Sequence, residues 1–145
     1  MLFDYEDQVC RTQAFAATAV SGSAIDMFTA GSDFTMGRRM AMLVVPTVSA
    51  GAGSTHVLAV VQADDAALTV NVEVLGSITV LAAALLAFSR WEIPIPQGVK
   101  TRRYIGLRNT ISGGTTTVTL DAWLVPQDEI DKYKSFPKVV HADNN

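Results

Sequence analysis

Few side chains in this sequence have the means for chemistry. They are His56 and His141, the single Cys10, the acidic pair Asp64-Asp65, the basic run Lys100, Arg102, Arg103 and Arg108, and the tryptophans Trp91 and Trp123. A metal centre needs several ligands converging on one point. The two histidines lie far apart, one in or beside an apolar run and the other in a polar tail. Cys10 has no base within predictable reach and reads as an ordinary thiol. The stretch Gly51-Ala52-Gly53-Ser54-Thr55 has the glycine content of a phosphate loop, but it lacks the lysine that pairs with phosphate and leads into a strand instead of a helix. Adjacent acids point apart in an extended chain, so Asp64-Asp65 reads as a turn and not as a calcium site. No catalytic set, metal site or cofactor site is expected, and a cupin-type enzyme would require histidines and carboxylates clustered inside a barrel.

What remains is binding chemistry. Guanidinium groups suit carboxylates and phosphates. Strand alternation puts Arg102 and Arg103 on opposite faces, which argues against one phosphate pocket and favours ion pairs across a protein interface. Trp91 or Trp123 could serve as a sugar-stacking platform, whereas the commoner use of a half-buried tryptophan is to cover a core or a subunit contact.

The elements that must position these residues are strands. Residues 100–126 (KTRRYIGLRNTISGGTTTVTLDAWLVP) alternate in period two on both sides of Gly113-Gly114 and read as a β-hairpin. Ile105 and Leu107 share one face; beyond the turn, Val118, Leu120, Ala122 and Leu124 oppose Thr117, Thr119, Asp121 and Trp123. Upstream, Ser23 to Phe28 reads as a short extended segment and 39–48 as an apolar strand whose Pro46 marks an edge. Residues 49–54 read as a flexible hairpin loop. Residues 56–63 and 68–75 read as two strands around the turn at 64–67. The alanine-rich segment 77–88 reads as a helical or turn-like passage into a strand over 87–93, ended by Pro94 and Pro96. Acids first and lysines last over 127–134 suit a short helix aligned with its dipole.

The fold expected is therefore all-β: an antiparallel two-sheet sandwich, a jelly roll of about eight strands, with an extended N-terminal arm and a short C-terminal helix and tail. The chain reads as a single domain over 1–145, with the arm at 1–20, the β-sandwich at 21–126 and the helix and tail at 127–145.

Composition bounds the partners. At 145 residues the chain can bury a full core without metal or disulfide. Its charged fraction of 17% is below the roughly 25% of ordinary soluble domains, which fits a surface covered by partners. The net charge is −3, with five acids and one base in residues 1–33 and a mild basic excess over 34–126. An acidic arm beside a basic body could dock on a neighbouring copy. A pI near 5.2 disfavours direct nucleic-acid binding. The start MLFDYED has acids where a secretory signal has bases, and the longest apolar run, 80–88, is about half a membrane span. Synthesis in a host cytoplasm and no membrane partner are expected.

On three stretches the chain resembles the small jelly-roll cement (decoration) proteins of tailed bacteriophages, of the Bordetella-phage type. These are Arg103-Tyr104-Ile105-Gly106-Leu107; residues 113–125, GGTTTVTLDAWLV; and residues 56–65, HVLAVVQADD, ending in an acidic turn. The opening pattern, a short extended segment, then Gly and Asp, then an apolar strand, is similar too, so the likeness covers most of 23–126. The resemblance implies a structural virion protein on the outer surface of the capsid that cements neighbouring major capsid subunits against internal DNA pressure. It also implies a homo-oligomer, a dimer ahead of a trimer. Phe3 and Tyr5 in the arm, Arg102, Arg103 and Arg108, and Tyr133 and Phe136 in the tail are the candidate interface residues. The alternative is a carbohydrate-binding jelly roll on a virion or cell surface.

Overall fold

Strands whose apolar residues alternate must bury one face, and this chain does so by stacking two antiparallel sheets over a shared core. The computed structural model describes residues 8–27, 39–98, 102–114 and 116–130. Among these the strands are β1 (Gln8–Phe15), β2 (Ala19–Val20), β3 (Ile25–Asp26), β4 (Met40–Val48), β5 (Thr55–Ala63), β6 (Glu73–Leu81), β7 (Trp91–Ile95), β8 (Tyr104–Ser112) and β9 (Val118–Pro126). One sheet runs β1-β9-β4-β7 and the other β2-β8-β5-β6, with β3 also pairing on β8. Because β2 and β3 share one neighbour, nine strands fill eight positions, and the order is that of a jelly roll.

The core between the sheets holds Val9, Phe15, Met42, Val44, Leu58, Val60, Ile93, Ile105, Leu107, Val118, Leu120 and Ala122. The expected inward face of the last strand, Val118, Leu120, Ala122 and Leu124, is buried as the alternation requires. Two smaller apolar clusters lie on the outer faces. Ala41, Leu43, Val125 and Ile130 form one, and the helical residues 127–130 bring Ile130 onto it. Ala59, Val61, Ala63 and Leu68 form the other, beneath the loop that follows β5.

Four expectations are corrected. First, residues 8–15 are not part of a free arm: β1 pairs antiparallel with β9 and buries Val9, Cys10 and Phe15. The sandwich thus begins at residue 8, and residues 1–7 of the expected arm lie outside the described residues. Second, residues 100–126 are not a hairpin. β8 and β9 belong to opposite sheets, so Gly113-Gly114 turns a corner between layers, and residues 49–54 do the same between β4 and β5. Third, the strand expected over 68–75 lies at Glu73–Leu81. Leu68 and Asn71 take positive φ, 58° and 51°, in a tight loop held by Asp65, which accepts from the Thr69 and Val70 amides at 2.8 Å each. Leu68 packs over Gly106, where a side chain would overlap it. Fourth, the strand expected over 87–93 begins at Trp91 and runs through Pro94. β7 lies at the end of its sheet, where a missing donor can be tolerated. The alanine-rich passage becomes one 3-10 turn, Ala82–Ala84.

Candidate binding surface

The basic residues come together with acids of the same chain. Arg102 donates to Asp64 at 3.2 Å and to Glu73 at 2.5 Å, and its backbone amide donates to the buried Gln62 at 2.8 Å. Gln62 in turn donates to Glu73 at 2.9 Å. Arg103 grips Asp26 through two bonds of 2.8 and 2.9 Å and lies over the Tyr104 ring, 5.1 Å from its centroid. The two guanidinium groups do form separate ion pairs, as opposite faces require. Those pairs are intramolecular. The cause is register: β3 and the loop after β5 deliver carboxylates to the start of β8. Hydrogen bonds from Asn71 and then Arg102 hold the Asp64 carboxyl below its ordinary range; Arg102 does the same for Glu73. Arg108, half-buried in mid-strand, sits opposite Val20 and Ala59. Phe3, Tyr5, Tyr133 and Phe136 lie outside the described residues.

The tryptophans cannot form one platform. Val44 pairs with Trp91 and its neighbour Leu43 with Trp123, so the two indoles face opposite sides of the same sheet. Trp91 packs against the core and donates to Ser89 at 2.9 Å; Trp123 packs against the outer cluster with Leu43 and Ile130.

The remaining polar chemistry is inside. His56 is fully buried at the start of β5, its Nδ1 beside the Asn109 side-chain amide (3.1–3.2 Å) and its Nε2 beside the Thr116 hydroxyl (2.9 Å) and Ser54 hydroxyl (3.2 Å). Ser54 and Thr116 also bond each other. The cluster ties the loop after β8 to β5 across residues distant in sequence, which is why sequence pattern alone does not reveal it. Burial lowers the His56 pKa, and the bond to Asn109 opposes this. The Cys10 thiol is pushed up to about 12 by burial and by Asp121, so it carries no thiolate at neutral pH. Among the described residues no three His, Cys, Asp or Glu side chains gather as a metal would need, and no helix is long and apolar enough to cross a membrane.

One end of the sandwich is unlike the rest. The connections after β1, β4, β6 and β8 meet there, with sequences AAT (16–18), SAGAGS (49–54), AAALLAFSR (82–90) and GGTTT (113–117), and Arg90 is their one charged residue. Val48, Leu81, Leu86 and Phe88 stand exposed at this end, Phe88 at 76%. Backbone bonds stitch two of these loops together, Ala50 to Leu85 (3.1 Å) and Ala82 to Ser54 (2.9 Å), and tie Phe88 to Pro46 of β4 (2.7 Å). A hollow of about 300 Å³ opens among Gly53, Ser54, Thr55, Leu81, Ala83 and Gly113. The sequence signal for this end was the near-absence of charge in four glycine- and alanine-rich connections. The four are scattered along the chain, and only the topology gathers them.

Residues 9–124 fit the model of the family described as Bbp16, which is a family of Bordetella phage proteins. No curated protein matches the chain.

Proposed function

The chain belongs to the Bbp16 family, and from that membership we propose that it is a structural virion protein that attaches to the outer surface of a phage capsid and cements neighbouring major capsid subunits. The observation that carries this reading is the extent of the match. It spans the sandwich from β1 almost to the end of β9, so the fold as a whole is shared with phage proteins and not merely one motif. Other features support it. Two sheets packed over a shared apolar core make a rigid body, and a shell fastener needs area and rigidity more than chemistry. A homo-oligomer, a dimer ahead of a trimer, would let several weak contacts act together on a repeating lattice.

Capsids lacking the protein, reconstituted with it and heated, test this. The protein should pellet with the particles and raise the temperature at which DNA is released. Failure to pellet, or an unchanged release temperature at full occupancy, would refute the cementing role. The carbohydrate alternative finds less support: the two indoles face opposite sides of one sheet, and both pack on apolar clusters.

A further inference from the structure

We propose that the uncharged loop end is the face through which two copies of this chain pair, with Phe88 of each copy seated against the other's end. The assignment takes from the preceding reading only that copies associate.

The first support is electrostatic. In a two-fold contact the same patch meets itself, so each charge near the axis meets its own like. A face free of charge escapes that repulsion, and the four connections at this end contain only Arg90, at the foot of β7. The Asp64, Glu73 and Arg102 group, set where β5, β6 and β8 leave that end behind, instead pairs its charges within the chain.

The second support is shape. Phe88 projects with 76% of its surface exposed, and Leu86 at 60%, Val48 at 57% and Leu81 at 65% are exposed at the same end. The same end carries the hollow bounded by Leu81, Ala83 and the glycine-rich tips. A knob and a hollow on one surface are what a self-complementary contact requires. Large aromatic anchors in apolar surroundings are the usual centres of such interfaces, and permanent homodimer contacts are more apolar than transient ones.

The third support is backbone conformation. Phe88 has φ 63°, in the left-handed region where glycine is expected and a bulky residue is strained. Its amide is fixed to the Pro46 carbonyl at 2.7 Å and the preceding Ala87 amide to the Ser49 hydroxyl at 2.8 Å. The chain thus holds a strained turn to display an apolar ring outward. The stitched loops present it ready-made, which keeps the ordering cost of association low.

The test measures native mass and sedimentation of the full chain at micromolar concentration, for the wild type, Phe88→Asp, Leu86→Asp, and Val74→Asp as a control on an exposed valine of β6. Wild type and Val74→Asp should be dimers. Each loop substitution acts twice in a two-fold contact and should weaken pairing by about a hundredfold or more, leaving a folded monomer by circular dichroism. Single-cysteine sites add a second readout, because the native Cys10 is buried. Phe88→Cys mixed with Leu81→Cys should cross-link between copies through a short bis-maleimide. A monomeric wild type refutes the pairing itself. A dimer that survives both loop substitutions refutes this face while leaving pairing intact. If the wild type is monomeric and its capsid pelleting is lost on Phe88→Asp, the end docks on the shell and not on a second copy.

Discussion

Lowering the pH from 7.5 to 5.5 should destabilise this protein through His56. The ring is fully buried, and its hydrogen-bond partners Ser54, Asn109 and Thr116 carry no charge to compensate an imidazolium. Burial holds its folded-state pKa below the ordinary 6.5. When a folded pKa is depressed for a base, the unfolded chain takes up the proton first. Stability is therefore complete above about pH 6.5 and falls as the pH drops below it, with a slope approaching about 1.4 kcal/mol per pH unit while the folded ring stays neutral. Relative to pH 7.5, the loss at pH 5.5 has a ceiling of about 1.4 kcal/mol. For a domain of this size that is roughly 3–5 °C in Tm. Differential scanning calorimetry of the wild type and His56→Gln at half-unit pH steps measures it, because glutamine keeps polar character without titrating. The variant should be less stable at pH 7.5 yet show a flatter profile between pH 7 and 5.5. An equal slope in both proteins would refute the reasoning. Should His56→Gln fail to fold, the imidazole proton resonances of the wild type provide the same check: one ring should remain unshifted well below pH 6.5.

Phe15→Ala should destabilise the fold by about 3–5 kcal/mol, lowering Tm by roughly 10 °C or more, because Phe15 is a core side chain of β1. A small change by thermal denaturation would return β1 to the status of an arm. Gly76→Ala should cost about 1–3 kcal/mol, since a methyl there would overlap the backbone carbonyl of Pro94 where the edges of the two sheets approach; urea midpoints measure this. A separate acid transition should appear below about pH 4.5. Asp64, Asp65 and Glu73 have carboxyls held below their ordinary 3.8 and 4.5, so their contribution is present above those values and is lost as the pH falls through the depressed ones. Arg102→Met should shrink that transition without altering the one near pH 6.

The strands over 40–48, 55–63 and 118–126 were legible because each keeps its apolar face unbroken. Their connections were not. A Gly-Gly turn between alternating runs serves a hairpin and an inter-sheet corner equally well, and only the core decides which layer each strand joins. β1 is hard to read from sequence because Val9 and Cys10 are buried side by side and the strand kinks at Thr12, φ 44°, so its alternation breaks. The alternation over 68–75 was real but misleading: Leu68 is buried while Val70 is half exposed, in a loop set by Asp65 and two positive-φ residues, and Val74 is half exposed in β6. For the candidate surface, opposite faces for Arg102 and Arg103 could be read from spacing. Their intramolecular partners, up to 77 residues distant, could not.

The most direct measurement is a cryo-electron microscopy reconstruction of the native particle beside one assembled without this protein. We expect the difference density to show paired two-layer β-sandwiches on the outside of the shell, each bridging adjacent capsid subunits. Difference density inside the shell or at the tail, or no difference at all, would contradict the cementing role.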